Sequence, residues 1–459
     1  MLALRPGGNA ALAGVPMPPH QPGPAAPASP FLARLLDFGG GRRITVGAAV
    51  LFALAFLPLP FGSVATVVYF GLAATVLVAA LRGRMTLDLG GAGRFAMAAV
   101  LAYFVMDAAG LLLYSPRVRA WEPALESLHF LVFPLIVAGL LAMGRADPIR
   151  VFVLGARAGA IFSGIIAAIQ IADDLDRAPG GMINPLPFGA TAALFAFLSL
   201  IGTAEEGWQG RGWALLAFAG GLAGTLFSEA RGAWLTLPAL AVIALVHLGA
   251  RRGPRIALAA SAGLAAVALV MGFVARDSLR ERIAETFAMF EGFELGRPDG
   301  GGDDARSLDH RALLLKYGLK AFADRPLLGY GHPNAITEVQ DRAAAEGDTI
   351  PVFGHLHNEF LTEAVGNGLV GLVTLFLVLA APLVVALRSA RDRGRADRVA
   401  LAAQLTAGSV LFGLTSLAFG LDILNSVFLT GLAVICASAS RSARPESAAA
   451  NRSAQGYGG

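Results

Sequence analysis

The sequence predicts an all-α polytopic membrane protein with about twelve transmembrane helices and one large polar loop. The chain has 459 residues, of which 56% are hydrophobic and 15% charged, and its mean hydropathy is +0.64. A soluble protein of this length would need far more polar surface. The apolar residues also fall into blocks of about 18–24 residues, the length at which a helix crosses a hydrocarbon core. One polar stretch, 276–356, interrupts this pattern.

The blocks divide the chain into membrane segments, one loop and two tails. Nine predicted spans occupy 44–275, the loop follows at 276–356, and three further spans occupy 357–440. The tails at 1–43 and 441–459 are rich in small residues, with Pro and Gly in the first and Ser and Arg in the second, which predicts disorder. The predicted spans are 44–60, 63–81, 95–114, 124–143, 148–171, 185–203, 212–228, 231–249, 255–275, 357–387, 399–418 and 423–440.

Arginine placement predicts the orientation of the spans. On the side of the N-terminus, the short loops carry clusters such as Arg42 with Arg43 and Arg251 with Arg252. The short loops on the opposite side hold few arginines, which are Arg117, Arg119, Arg177 and Arg231. Positive charge favours the cytoplasmic side, so we expect both termini in the cytoplasm and the 276–356 loop outside, in the periplasm of a two-membrane cell. The net charge of +4 then reflects topology and not nucleic-acid binding.

The single cysteine, Cys436, lies in an apolar block and excludes an internal disulfide or a multi-cysteine metal site. The acidic pairs Asp173–Asp174 and Asp303–Asp304 are interpreted as solvated loop residues, so no metal or other cofactor is expected. Within the loop, Ser278 and Glu281 fit a capping box for a short amphipathic helix. Two further helical stretches are predicted near 308–323 and 334–346.

Three polar residues at the outer ends of spans are candidates for chemistry. His357 begins a span in the segment HLHNEFL (355–361), where a histidine is either a polar cap or a general base of near-neutral pKa. Arg231 lies between two spans in SEARGAW (228–234), as a snorkelling residue or a phosphate ligand. Arg311 begins a loop helix, on a solvated face or as a second phosphate ligand.

Other polar residues give weaker signals. Asn184 begins a span in NPLPFG (184–189) and is interpreted as shaping a half-broken helix beside the site. Arg157 lies inside an apolar block, so it is either functional or paired in the interior. The glycines Gly366, Gly368 and Gly371 follow His357 and favour close helix packing or access for a lipid tail.

These motifs, in this order, resemble the O-antigen ligase and polymerase superfamily, bacterial membrane glycosyltransferases that use undecaprenyl-diphosphate-linked glycans. The resemblance rests on His357-Asn358-x-Phe-Leu with its following glycines, the Arg231 segment, NPLPFG and PLLGYG (326–331), over roughly 180–435. It implies a GT-C-like helical fold and a metal-independent, inverting glycosyl transfer. The family's essential histidine falls on His357 and its two arginines on Arg231 and Arg311. Asn358, Asn184 and Arg177 are possible additional site residues, and Arg306, Arg325 or Arg177 are alternatives to Arg311.

The predicted function is therefore that of an O-antigen ligase of the bacterial inner membrane. Its donor would be an undecaprenyl-diphosphate-linked polysaccharide, its acceptor lipid A–core, and its other partners membrane lipids, with no nucleic acid. Alternatives from the same family are a polymerase that joins O-antigen or exopolysaccharide repeat units and a transferase to a protein hydroxyl. A different class, a non-catalytic transporter of lipid-linked glycan, predicts polar groups at mid-membrane and an internal repeat.

Overall fold

The computed structural model describes residues 46–114 apart from 86, 88 and 89, then 121–142, 146–274, 303–351 and 353–455. In parts of these ranges (121–125, 266–268, 270–274, 303–309 and 443–455) only the backbone is described. Every regular element in the described part of the chain is helical. The all-α class predicted from composition is confirmed there. The predicted tail 1–43 and the predicted capping box at Ser278 lie outside the described residues.

Short helices of four residues or fewer connect the longer helices. They are Pro58–Phe61, Gly180–Met182, Arg231–Trp234 and His332–Asn334. The longer helices, labelled in chain order, are α1 (Val46–Phe56), α2 (Val64–Leu81), α3 (Arg94–Leu113), α4 (Trp121–Leu141), α5 (Pro148–Ala172), α6 (Pro185–Leu198), α7 (Trp208–Phe227), α8 (Leu237–Arg252), α9 (Pro254–Val274), α10 (Asp303–Asp324), α11 (Ala335–Ala345), α12 (Glu359–Arg388), α13 (Arg395–Gly413) and α14 (Asp422–Gln455).

Six helices in the described ranges are long and apolar enough to cross a membrane. They are α2, α3, α5, the segment Arg231–Arg252, α12 and the Asp422–Ser442 part of α14. The predicted number of about twelve is not confirmed. The first predicted span breaks at Leu57, before Pro58, and leaves an α1 of 11 residues. The sixth ends at Leu198 after 14 residues, because the chain turns there. Neither helix reaches the roughly 20 residues that cross a bilayer alone.

Close packing between membrane helices depends on small residues, as expected where the helices lack a hydrophobic driving force. The backbones of α5 and α7 approach so closely at Gly164 and Gly220 that a Cβ on Gly164 would lie 2.8 Å from Gly220. Arg157 of α5 is paired in the interior: its guanidinium donates to the Ser199 and Ile201 carbonyls and to Glu206. Arg157 thus provides hydrogen-bond donors to carbonyl groups at the end of α6. This agrees with the interpretation that Arg157 is paired in the interior.

The described part of the loop is a small helical layer with a core of its own. α10 and α11 pack through Leu314, Tyr317 and Val339, all nearly fully buried. Lys316 and Lys320 of α10 form ion pairs with Asp348 and Glu346 at the end of α11. The boundaries of α11 agree closely with the helix predicted near 334–346, whereas α10 begins at Asp303, before the start of the helix predicted near 308–323. At the other end of the chain, α14 continues past Arg441, where the predicted tail begins, through a segment rich in helix-favouring alanine.

Candidate functional site

His357 lies at the entrance of α12 in a strained backbone conformation. Its φ is +52°, which non-glycine residues rarely adopt. Asn358 follows as the N-cap residue, and its Oδ1 accepts a hydrogen bond from the Leu361 N–H at 2.9 Å. The cap fixes where α12 begins, and the His357 side chain is left half-buried at the edge of the helix. Strain of this kind tends to persist at functional sites, where the surrounding structure holds it.

A second histidine supports His357. The His355 Nδ1 accepts a hydrogen bond from the His357 backbone N–H at 3.0 Å, and the two ring centroids are 4.3 Å apart. Burial, together with the charges of His357, His332 and Arg311, lowers the pKa of His355 to about 4. His355 is therefore neutral at physiological pH, as an acceptor at Nδ1 must be. The sequence analysis did not assign His355 a role, although its spacing of two residues from His357 was visible.

Burial also lowers the pKa of His357, and the positive charge of Arg311 lowers it further. An imidazole whose pKa lies below its usual 6.5 is unprotonated at neutral pH. His357 therefore has the protonation state of a general base under the conditions in which the protein works.

Arg311 and Arg231 lie close to each other. Burial lowers the pKa of the Arg311 guanidinium, and the charge of Arg231 lowers it further. α10 is held against α12 where Gly318 faces Leu361, because a Cβ on Gly318 would lie 2.9 Å from the Leu361 side chain. Arg311 is seven residues before Gly318 and so lies on the same side of α10, two turns away. Both arginine side chains nevertheless remain accessible to solvent. Two neighbouring guanidinium groups repel each other and favour an anion between them.

Arg177 holds the turn that carries Arg231. Its guanidinium donates to the Ser228 carbonyl at 3.1 Å and to the Glu229 carbonyl at 3.2 Å. Glu229 has a φ of +48° and lies at the sharp turn from α7 towards Arg231. These bonds occupy Arg177 with the backbone. Arg177 thus supports the turn that carries Arg231, and its contact with phosphate stays a prediction.

Asn184 supports the same turn indirectly. Its side chain caps α6 by accepting from the Leu186 N–H at 3.0 Å. One turn further, Gly189 packs directly against Ser228 and Ala230, with no room for a Cβ. The NPLPFG motif therefore seats α6 against the Arg231 turn, and the exposed Asn184 side chain serves the helix end.

The segment after α13 joins the Arg231 turn to His357. Gly232 contacts Thr415 so closely that no Cβ would fit. The Asn358 Nδ2 donates to the Leu414 carbonyl at 3.1 Å. Next to it, Glu359 is 1% exposed, and its Oε2 accepts the N–H groups of two residues of the 414–421 segment, at 2.8 Å and 3.1 Å. The histidine and the first arginine are thus fixed to one short piece of chain.

The glycines after His357 receive the PLLGYG turn of the loop. At Gly368 the helix is broken, with φ +67° and ψ −156°. The turn fills the break: the Tyr330 N–H donates to Val365 at 3.0 Å, the Gly331 N–H to Gly366 at 2.7 Å, and the Leu369 N–H to Pro326 at 2.7 Å. Glycine is required because a Cβ on Gly368 would overlap the carbonyl of Leu327. At Gly366 and Gly368, the close approach is therefore to the docked loop, whereas Gly371 lies against Asn367 and Glu363 of its own helix.

The alternatives to Arg311 fit less well. Arg325 stacks on the Tyr330 ring at 4.6 Å, and Arg342 approaches the same ring at 5.6 Å, so Arg325 braces the PLLGYG turn. The side chain of Arg306 lies outside the described residues. In the described ranges, no group of three or more His, Cys, Asp or Glu side chains could hold a metal ion.

A second polar cluster lies beside this site, and the sequence analysis missed it. The His332 Nδ1 is 3.6 Å from Asp107 of α3 and 3.5 Å from Glu363 of α12. With Tyr103, Ser127 and other residues, His332 and Asp107 line a small cavity. A signal was present, because Asp107 is an acidic residue inside an apolar span, and such residues usually have a partner.

The fold and site together define a multi-pass membrane protein with two arginines and a histidine gathered at the end of a membrane helix. Comparison with known families agrees. A family model described as Wzy_C: O-antigen ligase matches residues 214–376. This segment includes Arg231, Arg311, His357 and the PLLGYG turn, and it excludes Arg177 and Asn184. No curated protein matches the chain.

The resemblance drawn from the motifs is therefore confirmed over this segment: residues 214–376 match the O-antigen ligase family. The family comprises membrane glycosyltransferase-like enzymes, both ligases and polymerases, with lipid-linked glycans as substrates in general. Together with the apolar helices, this match indicates a multi-pass bacterial membrane protein.

Proposed function

We propose that the protein is an O-antigen ligase that transfers an undecaprenyl-diphosphate-linked polysaccharide to lipid A–core at the outer face of the bacterial inner membrane. The reaction is metal-independent and inverts the anomeric centre. The orientation has both termini in the cytoplasm and the 276–356 loop in the periplasm, as the arginine pattern indicates.

One observation carries the proposal: Arg231, Arg311 and His357 come from three distant parts of the chain and meet at one end of α12. The charge of Arg311 acts on His357, and that of Arg231 acts on Arg311. A neutral imidazole beside two guanidinium groups provides a base and an anion site within one short distance. This combination matches a reaction in which a hydroxyl attacks and a diphosphate leaves.

In the proposed reaction, His357 takes the proton from the acceptor sugar hydroxyl. The acceptor oxygen forms a bond to the anomeric carbon of the donor, and the bond from that carbon to the diphosphate oxygen breaks. The electron pair leaves with the polyprenyl diphosphate, whose negative charge Arg231 and Arg311 neutralise. Attack opposite the leaving group inverts the anomeric carbon. The proton stays on His357 until solvent removes it.

The test of the base is His357→Ala in protein reconstituted in vesicles and supplied with lipid-linked glycan and acceptor. We expect transfer to fall by roughly 10²–10⁴-fold, the usual contribution of a general base. His247→Gln is the matched control, because His247 pairs with Asp397 at the end of α8 away from the site. Transfer near the wild-type rate in His357→Ala would refute the general-base role.

The test of the anion site compares Arg231→Ala with Arg231→Lys. Alanine removes the charge, whereas lysine keeps a charge but loses bidentate contact. We expect activity to fall in the order wild type, lysine, alanine, with Arg388→Lys as a control because Arg388 lies over Phe95 at the far end of α12. Full activity of Arg231→Ala would exclude the diphosphate contact.

A polymerase that joins repeat units is the competing function, since it needs the same base and anion site. The glycolipid profile of a deletion strain separates the two. Loss of a ligase leaves polymer on the lipid carrier with no capped lipid A–core, whereas loss of a polymerase leaves single repeat units. A transporter without chemistry predicts that purified protein forms no glycosidic bond at all.

A further inference from the structure

The cluster around His332 lies where the loop meets the membrane helices. His332 directly follows the PLLGYG turn, which is docked into the break of α12 by four backbone hydrogen bonds. Its backbone lies against α12, because a Cβ on Gly366 would be 2.9 Å from the His332 Cα. The imidazole therefore projects from the docked turn towards both α3 and α12.

Two carboxylates of membrane helices face this imidazole. The side chains of Asp107 and Glu363 are 8% and 1% exposed, and that of His332 is 17% exposed. Ser127 donates to Asp107, and the Asn367 Nδ2 donates to the Glu363 Oε1 at 2.8 Å. The Glu363 Oε2 is buried and has no hydrogen-bond partner among the described residues.

The Ser127 hydroxyl and the Asn367 amide reduce the free-energy cost of burying these two carboxylates, but they do not neutralise the negative charges. Burying an unpaired carboxylate is unfavourable, so a cation nearby is strongly favoured. In the part of the chain that the structure describes, His332 is the ion-pair partner of both carboxylates. The imidazole lies about equally far from the two, which suits one cation shared between two anions.

We propose that His332 is a cationic positioning residue: its imidazolium, held between Asp107 and Glu363, fastens the periplasmic loop to α3 and α12 and so sets the position of Arg311 over His357. His332 does not touch substrate. It acts through the PLLGYG turn, which leads from the end of α10 to α12. The role in transfer rests on the proposed function, but the fastening of the loop does not.

Electrostatics supports the cationic state. Burial alone would lower the pKa of His332, but Glu363, Asp107 and Glu359 together outweigh it and raise the pKa to about 10. The groups facing His332 from elsewhere are His355, which is neutral, and Tyr103 and Glu126, which line the adjoining cavity. None of these supplies a competing cation.

Docking of the loop should weaken as the pH rises. The pKa of His332 is higher in the docked loop than in the unfolded chain, where it is about 6.5. The contribution of His332 to docking is therefore complete below pH 6.5. It weakens as the pH rises towards about 10, because deprotonation of the imidazole leaves the two carboxylates without their cation.

The experiment measures hydrogen exchange by mass spectrometry on the full chain in lipid nanodiscs. The readout is the protection of peptides covering 326–334, whose Tyr330 and Gly331 amides donate to α12. We expect His332→Gln to accelerate their exchange by roughly tenfold or more, because it leaves two buried carboxylates unpaired. A peptide from α5 serves as the internal reference.

Two further variants distinguish the effect of the His332 charge from the effect of changing its side-chain shape. His332→Gln combined with Asp107→Asn and Glu363→Gln removes the cation and both anions, and we expect it to restore most of the protection. His310→Gln is the matched loop control, since the His310 ring lies beside the Phe353 ring. Protection in the wild type, corrected for intrinsic exchange rates, should fall between pH 6.5 and 10, and in the triple variant it should not.

Protection in His332→Gln within twofold of the wild type would overturn the proposal, as would a triple variant no better protected than His332→Gln. A flat wild-type pH profile would contradict the cationic state. If instead these results appear as expected and the wild-type protein makes no glycosidic bond, the fastening is correct and the proposed function has failed. Where transfer does occur, its rate should follow the protection across the variants.

Discussion

Single residues at this site work through their charge states. His357 has a pKa below its ordinary value because it is partly buried and because Arg311 is nearby. A general base acts in its neutral form, so activity rises with pH as the imidazole loses its proton and levels off once it is neutral. His355 remains neutral beside it and holds the backbone of His357.

The acid limb of the pH–rate profile of kcat/KM should therefore lie below pH 6.5. In Arg311→Gln the limb should move to higher pH, because the charge that disfavours the imidazolium is gone. This shift is separate from the loss of rate that follows from a weaker anion site. An acid limb that stays in place or moves to lower pH in Arg311→Gln would contradict the proximity of Arg311 to His357.

At the scale of elements, the break in α12 joins the loop to the membrane helices. A continuous helix through Gly366 and Gly368 would bond its carbonyls internally and leave no acceptors for Tyr330 and Gly331. The positive φ of Gly368 opens the helix, and the PLLGYG turn satisfies the released groups. Sequence periodicity alone does not predict such a break, because the apolar pattern of the helix continues on both sides of it.

Gly368→Ala should disrupt this junction. Alanine at positive φ costs about 1–2 kcal/mol, and here the added Cβ would also overlap the Leu327 carbonyl. Gly347→Ala is the matched control, with a φ of +86° but open space around its Cβ. Thermal unfolding in detergent should show a clearly larger loss of stability for Gly368→Ala. Equal losses would mean that only the backbone conformation matters at Gly368.

At the scale of the whole molecule, the site depends on the 414–421 segment that joins distant helices. Gly232 contacts Thr415 on one side of this segment, and Asn358 and Glu359 bond to the other. The distance between Arg231 and His357 is therefore set by helices far apart in sequence. A small displacement here would separate the proposed base from the proposed anion site without unfolding the protein.

Gly232→Ala should lower transfer by misplacing Arg231, because its Cβ would overlap the Thr415 hydroxyl. Removing that hydroxyl in the double variant Gly232→Ala with Thr415→Ala should recover a large part of the rate. The measurement is kcat/KM in vesicles beside the melting temperature of each variant. If the second change brings no recovery, the contact does not control the site.

The proposed orientation can be tested on the whole chain, because its single cysteine, Cys436, is fully buried and gives a silent background. Ala344→Cys in α11 and Arg393→Cys between α12 and α13 are both exposed positions. We expect a membrane-impermeant thiol reagent added to intact spheroplasts to label Ala344→Cys and spare Arg393→Cys. The reverse pattern would invert the topology.

The sequence by itself determined the helical class, the positions of most helices and the candidates His357, Arg231 and Arg311. Hydrophobic block length, charge bias and local motifs are properties of neighbouring residues, so they can be read along the chain. The tertiary structure decided which helices are long enough to span, what the glycines after His357 do, and that Arg177 and Arg157 bind backbone carbonyls. It alone brought His332 to Asp107 and Glu363. Asp107 precedes His332 by more than two hundred positions, and only the packing of α3 against the loop and α12 brings these side chains together.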